Sequence, residues 1–144
     1  MLNSLSLVGL LLMIAALAGL WFVGTLFTYA PLVIVIQALA VLLMVWARFT
    51  FGHRSFHATA NPTAGGIVTS GPYRYIRHPI YTAGCLIGWV GILAHPSFAS
   101  AGLGLVLFGG ALMRMLSEEQ LVSKQYPEYT EYMARTKRMI PFVF

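Results

Sequence analysis

Apolar residues gather in four blocks, at about residues 5–27, 31–47, 80–94 and 98–113. A helix needs about 20 apolar residues, and at least about 17, to cross a bilayer. The first two blocks meet that length, the fourth is borderline, and the third is short and must borrow from its flanks. Only His95-Pro96-Ser97 separates the last two, so they read as a tight helical hairpin. Ala16-Leu17-Ala18 has the form of a leader cleavage site, but no basic residue precedes the run and it continues past Ala18, so a retained helix is expected.

The polar positions are as segregated as the apolar ones. Every Asp, Glu, Lys or Arg lies within residues 48–77 or 114–138, and the connections near 28–30 and 95–97 carry none. Four spans place both charged regions on one side. Lys and Arg mark the cytoplasmic side, so both termini are expected there. A loop and a tail that meet at one membrane face can build one site between them.

Composition agrees with this pattern. The chain is 58% hydrophobic and 9% charged, where a soluble domain carries about a quarter charged residues. That is too little polar surface for a water-facing globule, and the class is an all-α integral membrane protein with about four transmembrane helices. The net charge of +5 calls for no nucleic acid, because positive-inside anchoring and attraction to anionic membrane lipids account for it. The lone cysteine, Cys85, sits in an apolar block and allows no intramolecular disulfide. Nothing repeats. Residues 1–144 are read as one domain: two N-terminal spans to residue 47, then a polar loop, the hairpin and a C-terminal tail with an interfacial helix.

The densest chemistry lies in two places. Asn61-Pro-Thr-Ala-Gly-Gly-Ile-Val-Thr-Ser-Gly-Pro-Tyr73 is loop-forming, and its glycines let backbone approach a ligand closely. Arg77-His78-Pro79 follows, with Pro79 expected to open the third span. First-turn N–H groups there are unpaired within the helix, and His78 and Tyr81 share a face three residues apart. The second place is Arg114-Met-Leu-Ser-Glu118-Glu119-Gln-Leu121, just past the fourth block, where Arg114 and Glu118 are spaced i,i+4. Aromatic and basic residues interleave from Tyr126 to Phe142, as in an interfacial helix. This inventory suits a zwitterionic or cationic cofactor beside a lipid phase. Four scattered histidines and no aspartate give no metal-ligand spacing.

Arg-His-Pro-x-Tyr at 77–81 with Glu-Glu-x-Leu at 118–121, a hairpin's distance on, resembles the isoprenylcysteine carboxyl methyltransferase family and the wider group that includes phospholipid methyltransferases. The resemblance covers about residues 48–144. It implies methyl transfer from S-adenosylmethionine at the cytoplasmic membrane face, to a lipophilic or prenylated acceptor drawn from the bilayer. Carried over by motif, the cofactor residues are Gly65, Gly66, Ile67, Val68, Tyr73, His78, Pro79, Ile80, Tyr81 and Glu119. Arg114 matches the arginine linked to substrate and catalysis. The family's usual Phe-Gly is Tyr126-Pro127 here, and the glycine usual after His-Pro-x-Tyr-x is Ala83, next to Gly84.

Prenylcysteine carboxylate is the family's namesake acceptor, with phospholipid amines and small thiols as alternatives. Two other classes are a sterol-type reductase using a nicotinamide, which needs more spans than this chain offers, and a non-catalytic membrane adaptor. Several residues also have simpler readings. Arg135, Lys137 and Arg138 are expected as positive-inside anchors, and Tyr126, Tyr129 and Tyr132 as interfacial aromatics. Gly84 and Gly88 are expected to serve helix packing, and His53, His57 and His95 are expected as plain loop residues.

Overall fold

A computed structural model describes residues 2–52 and 66–144. It contains α1 (Leu2–Phe22), α2 (Pro31–Phe51), a 3-10 turn (Gly71–Arg74), α3 (Pro79–Ala94), α4 (Phe98–Gln125) and α5 (Tyr129–Arg135). Helices α1, α2 and α4 are long and apolar enough to cross a membrane, and α3 is a shorter apolar helix of 16 residues. No strand occurs among the described residues. The protein is an all-α integral membrane protein.

The helix ends follow local chemistry. The first apolar block runs to residue 27, but α1 stops at Phe22 because Gly24 takes a left-handed φ of 74°. The turn folds back so that the N–H groups of Thr25 and Leu26 both donate to the Leu20 carbonyl. Pro31 and Pro79 then occupy first-turn positions of α2 and α3, where a missing N–H costs nothing. Ser97 caps α4 in a reciprocal capping box with Ser100.

The largest departure from expectation is α4. It does not end near Met113 but continues to Gln125, adding about 18 Å at 1.5 Å per residue. The segment from Arg114 is rich in good helix formers, and it buries Arg114, Met115, Ser117 and Glu119 on one side. Arg114, Glu118 and Glu119 therefore project from a helix and not from a flexible tail. The expected interfacial helix over 126–142 shrinks to the seven residues of α5. Beyond it Thr136 is extended, Lys137 bridges to Ile76 in parallel, and the chain then turns back on itself, with the Met139 and Ile140 N–H groups donating to the Phe144 carbonyl.

Helix α1 packs on α4, α4 on α3, and α3 on α2. Adjacent helices run antiparallel. Gly9 and Gly110 let the α1 and α4 backbones touch: a Cβ on Gly9 would lie 2.6 Å from the Gly110 carbonyl. Leu20, Leu107 and Met115 fill the seam completely buried. Gly88 serves packing as expected, with Leu107 and Leu20 pressed against it. Gln37, buried in α2, donates to the carbonyls of Leu26 (2.6 Å) and Ile87 (3.0 Å) and ties α2 to α3. Large apolar side chains such as Leu32, Leu42 and Phe49 point outward from α2, a surface suited to lipid.

This topology sorts the two ends of the bundle. The uncharged turns meet at one end, where His95 Nε2 lies 3.3 Å from Thr28 Oγ1. The start of α3 and the charged stretch of α4 meet at the other.

Candidate functional site

The site forms where the beginning of α3 faces the second half of α4. His78 precedes Pro79, a position that disfavours helical backbone, and it adopts φ −127° and ψ 57°. Its carbonyl caps α3 by accepting from the Thr82 N–H (3.0 Å) and Thr82 Oγ1 (3.0 Å). The side chain is left for other work. It stacks on Tyr81, with centroids 5.6 Å apart and planes 29° from parallel, as the three-residue spacing anticipated.

Two carboxylates share this region and have different partners. Glu119 is buried, and its oxygens accept four donors. Oε1 takes Arg77 Nε (2.8 Å) and faces His78 Nε2 (3.2 Å). Oε2 takes Arg138 Nε (3.1 Å) and Nη2 (2.9 Å). A carboxylate offers about four lone-pair sites, so Glu119 is filled by protein groups. The resemblance implies that Glu119 serves the cofactor; in the structure its two oxygens also bring together Arg77, Arg138 and His78.

Glu118 is different. Its Oε1 accepts from the Tyr81 hydroxyl and lies 3.3 Å from Arg114 Nε. Its Oε2 faces His78 Nδ1 at 3.7 Å, beyond hydrogen-bonding range. Its side chain is 24% exposed, against 7% for Glu119. Glu118 therefore keeps acceptor capacity that an incoming cation can use.

Arg114 is buried beside it. Its Nε donates to the Tyr81 hydroxyl (2.5 Å), its Nη1 to the Ser6 carbonyl of α1 (3.3 Å), and its guanidinium sits 5.7 Å from the Tyr81 ring centre. The i,i+4 pair read from the sequence is present, and Tyr81 joins it from α3.

The C-terminal segment closes the other flank. Arg77 N–H donates to the Lys137 carbonyl (2.8 Å) and His78 N–H to the Arg138 carbonyl (2.9 Å). Arg77 Nη1 reaches the carbonyls of Met133 (3.1 Å) and Thr136. The Thr82 hydroxyl proton is shared between the His78 carbonyl and the Met139 carbonyl, the latter 3.2 Å from Oγ1. Tyr129 and Tyr132 are buried, which corrects their reading as interfacial aromatics. Tyr132 donates to the Tyr73 carbonyl (2.6 Å), and burial raises its phenol to about 12. Burial, then the nearby Glu119 charge, raises Tyr129 further. Arg138 is likewise more than a membrane anchor, since it grips Glu119. Arg135 is exposed and pairs with Glu131 at 3.2 Å.

The remaining expected residues divide into two sets. Pro79 and Ile80 open α3 at the cluster. Ile67 and Val68 instead line a groove of about 540 Å³ with Thr50, Phe51, Gly52, Thr69 and Ser70, none of which belongs to the Glu118–Glu119 cluster. Gly71, at φ 56°, brings this loop against Thr50. Tyr73 connects the two regions: its ring lies 5.5 Å from Phe51 and its carbonyl holds Tyr132. Gly66 takes a φ of 82° beside the groove segment. Gly65, His53 and His57 lie outside the described residues. From the sequence Arg77 stood only as part of the Arg-His-Pro-x-Tyr motif and Arg138 as an anchor, and their common partner, 42 and 19 positions away, was not legible.

The nickel-cobalt-cadmium resistance protein NccN of Alcaligenes xylosoxydans xylosoxydans is 35% identical over 79 residues, covering 52% of this chain and 36% of that protein. The cobalt-zinc-cadmium resistance protein CzcN of Cupriavidus metallidurans is 34% identical over 79 residues, covering 52% of this chain and 35% of that protein. The chain thus spans about a third of the length of these curated relatives. No solved structure matches it significantly. A family model described as phospholipid methyltransferase matches residues 26–129, from the turn after α1 through α4 to the start of α5, and the chain belongs to that family.

Proposed function

We propose that the protein is an S-adenosylmethionine-dependent methyltransferase that modifies a lipid-like acceptor at the cytoplasmic membrane face. The carrying observation is the divided roles of the two carboxylates. Glu119 is filled by Arg77, Arg138 and His78, while Glu118 keeps an open, partly exposed oxygen beside Tyr81. That donor set fits a cationic cofactor. Glu118 offers the anionic contact, the Tyr81 and His78 rings offer aromatic faces, and the first turn of α3 at Ile80 and Tyr81 offers N–H groups for a carboxylate. Ile67 and Val68 would carry the cofactor's less polar parts in the groove they line, with Gly66 and Tyr73 flanking that segment in sequence.

When bound, S-adenosylmethionine supplies a methyl group already activated on a sulfonium. The chain's own task is alignment and exclusion of water. Tyr81, held between Arg114 and Glu118, fixes the geometry of both. Arg114 places a buried positive charge where α1, α3 and α4 converge, and this suits an acidic acceptor reaching in from the bilayer. The acceptor we favour is accordingly a prenylcysteine-type carboxylate, which needs no general base. A phospholipid amine or small thiol must lose a proton first, and Glu118 is the nearest group to take it. The charged end of the bundle then faces the cytoplasm.

The test has two parts. Purified protein should be stabilised thermally by S-adenosylhomocysteine and not by reduced nicotinamide. Labelled methyl should then pass into prenylcysteine analogues in preference to phospholipid amines or thiols, read by mass spectrometry. Stabilisation by the nicotinamide alone points to the reductase class, and stabilisation by neither removes the enzymatic reading.

A further inference from the structure

The cluster around Glu119 touches the C-terminal segment at more points than an anchor requires. Arg138 contributes side-chain donors to Oε2 of Glu119 and its own backbone carbonyl to His78 N–H. Lys137 and Thr136 give their carbonyls to Arg77, and Met139 gives its carbonyl to Thr82. Residues 136–139 thus lie as a strap across the segment that opens α3. The side chains of Arg77, His78 and Glu119 beneath it are 6–8% exposed, whereas Arg138 is 31% exposed. Arg138 is the solvent-facing member of a buried ion cluster, and it also packs 5.7 Å from the Phe144 ring.

We propose that Arg138 is a positioning residue: by gripping Glu119 it docks the strap on the start of α3 and holds the His78–Tyr81 face in the form that takes the cofactor. The proposal rests on the functional reading above. Arg138 touches neither Glu118 nor Tyr81 among the contacts described, so it acts through Glu119 and His78. Removing it leaves Oε2 of a buried carboxylate without its two donors, and the strap then keeps its backbone bonds, Arg77, the Thr82 hydroxyl and the buried Met139 side chain, but loses its ionic grip on α4.

The experiment uses the whole protein in detergent or nanodiscs, with Arg138→Met, Arg138→Lys and the exposed-pair control Arg135→Met. Strap docking is read without ligand, as exchange of the Arg77 and His78 amide hydrogens that donate to Lys137 and Arg138. Cofactor-site geometry is read by calorimetry with S-adenosylhomocysteine. Arg138→Met should speed exchange at both amides and weaken binding about tenfold, the scale of a lost charge-assisted hydrogen bond. Arg138→Lys should recover part of each, and Arg135→Met should match wild type. Wild-type affinity should also fall with added salt, because one partner of the pair faces solvent, while Arg138→Met should respond less. Unchanged exchange in Arg138→Met overturns the docking role. Faster exchange with unchanged affinity overturns the positioning role while leaving the methyltransferase reading standing. If wild type itself binds no S-adenosylhomocysteine, both the functional reading and the positioning role fail together.

Discussion

Replacing Arg114 by lysine keeps a positive charge in place and removes only the shape of the group that carries it. The structure assigns the guanidinium three separate tasks. Its Nε donates to the Tyr81 hydroxyl at 2.5 Å and pairs with Glu118 at 3.3 Å, while Nη1 reaches the Ser6 carbonyl at 3.3 Å. These partners belong to α3, α4 and α1 and are reached from two nitrogens of a planar fork, Nε and Nη1, a spread that the single nitrogen of lysine does not reproduce. At least one hydrogen bond to a charged group is lost, worth about 1.5 to 3 kcal/mol. At about 1.4 kcal/mol per decade, that is a roughly ten- to hundredfold loss if it falls on the transition state. Turnover should drop by that factor in Arg114→Lys. Affinity for S-adenosylhomocysteine should fall by less than turnover: Glu118 and the rings remain, although their direct contact with Arg114 couples the two effects. The assay pairs methyl-transfer rates with calorimetry on the same preparation, with a thermal melt to confirm folding. A fully active Arg114→Lys would show that charge alone suffices and would remove Arg114 from any orienting role. An equal loss of binding and turnover would move it from the acceptor side to the cofactor side.

Three further outcomes are expected. Gly88→Val should lower thermal stability by about 1 to 3 kcal/mol through overpacking, because its Cβ would lie 2.5 Å from Leu107 Cδ2; an unchanged melt would mean the α3–α4 seam is looser than described. Gln37→Leu should cost about 0.6 to 1.7 kcal/mol, the range for hydrogen bonds inside membranes, since the Leu26 and Ile87 carbonyls lose their donor; reversible unfolding in detergent measures it. Tyr29→Cys and Pro96→Cys should react with an impermeant thiol reagent from the side opposite to Thr130→Cys, with buried Cys85 silent. Labelling of all three from one side would contradict the proposed orientation.

Residues close in sequence were the legible part of the site. The i,i+4 spacing of Arg114 and Glu118 and the three-residue spacing of His78 and Tyr81 gave real neighbours, because helical geometry fixes such pairs. The hairpin at His95-Pro96-Ser97 was legible from the break in the apolar pattern. The α4 boundary was not. Hydropathy falls at Arg114, but helix propensity does not, and the helix continues through the charged stretch. The partners of Glu119 were out of reach for another reason. Arg77 and Arg138 meet it only because the strap pairs with Ile76 and the residues after it, and no local pattern encodes that register. Tyr132 was misread because an aromatic near basic residues looks the same whether it lies at a lipid interface or under a strap.

The shortness of α3 has a consequence for depth. Its 16 residues span about 24 Å at 1.5 Å per residue, less than the roughly 30 Å of a typical hydrocarbon core. The 28 residues of α4 reach about 42 Å by the same measure, so the two helices cannot both match one slab. If the uncharged turn at His95 lies at one boundary, the His78 end of α3 is recessed by several ångströms at the other. A headgroup carried by a lipid would then have to sink, or the surrounding leaflet would have to thin, to bring it level with Tyr81. Such hydrophobic mismatch costs fractions of a kcal/mol per ångström. It would make the thickness of the host membrane a setting on the proposed reaction, readable by reconstituting the protein in lipids of graded chain length.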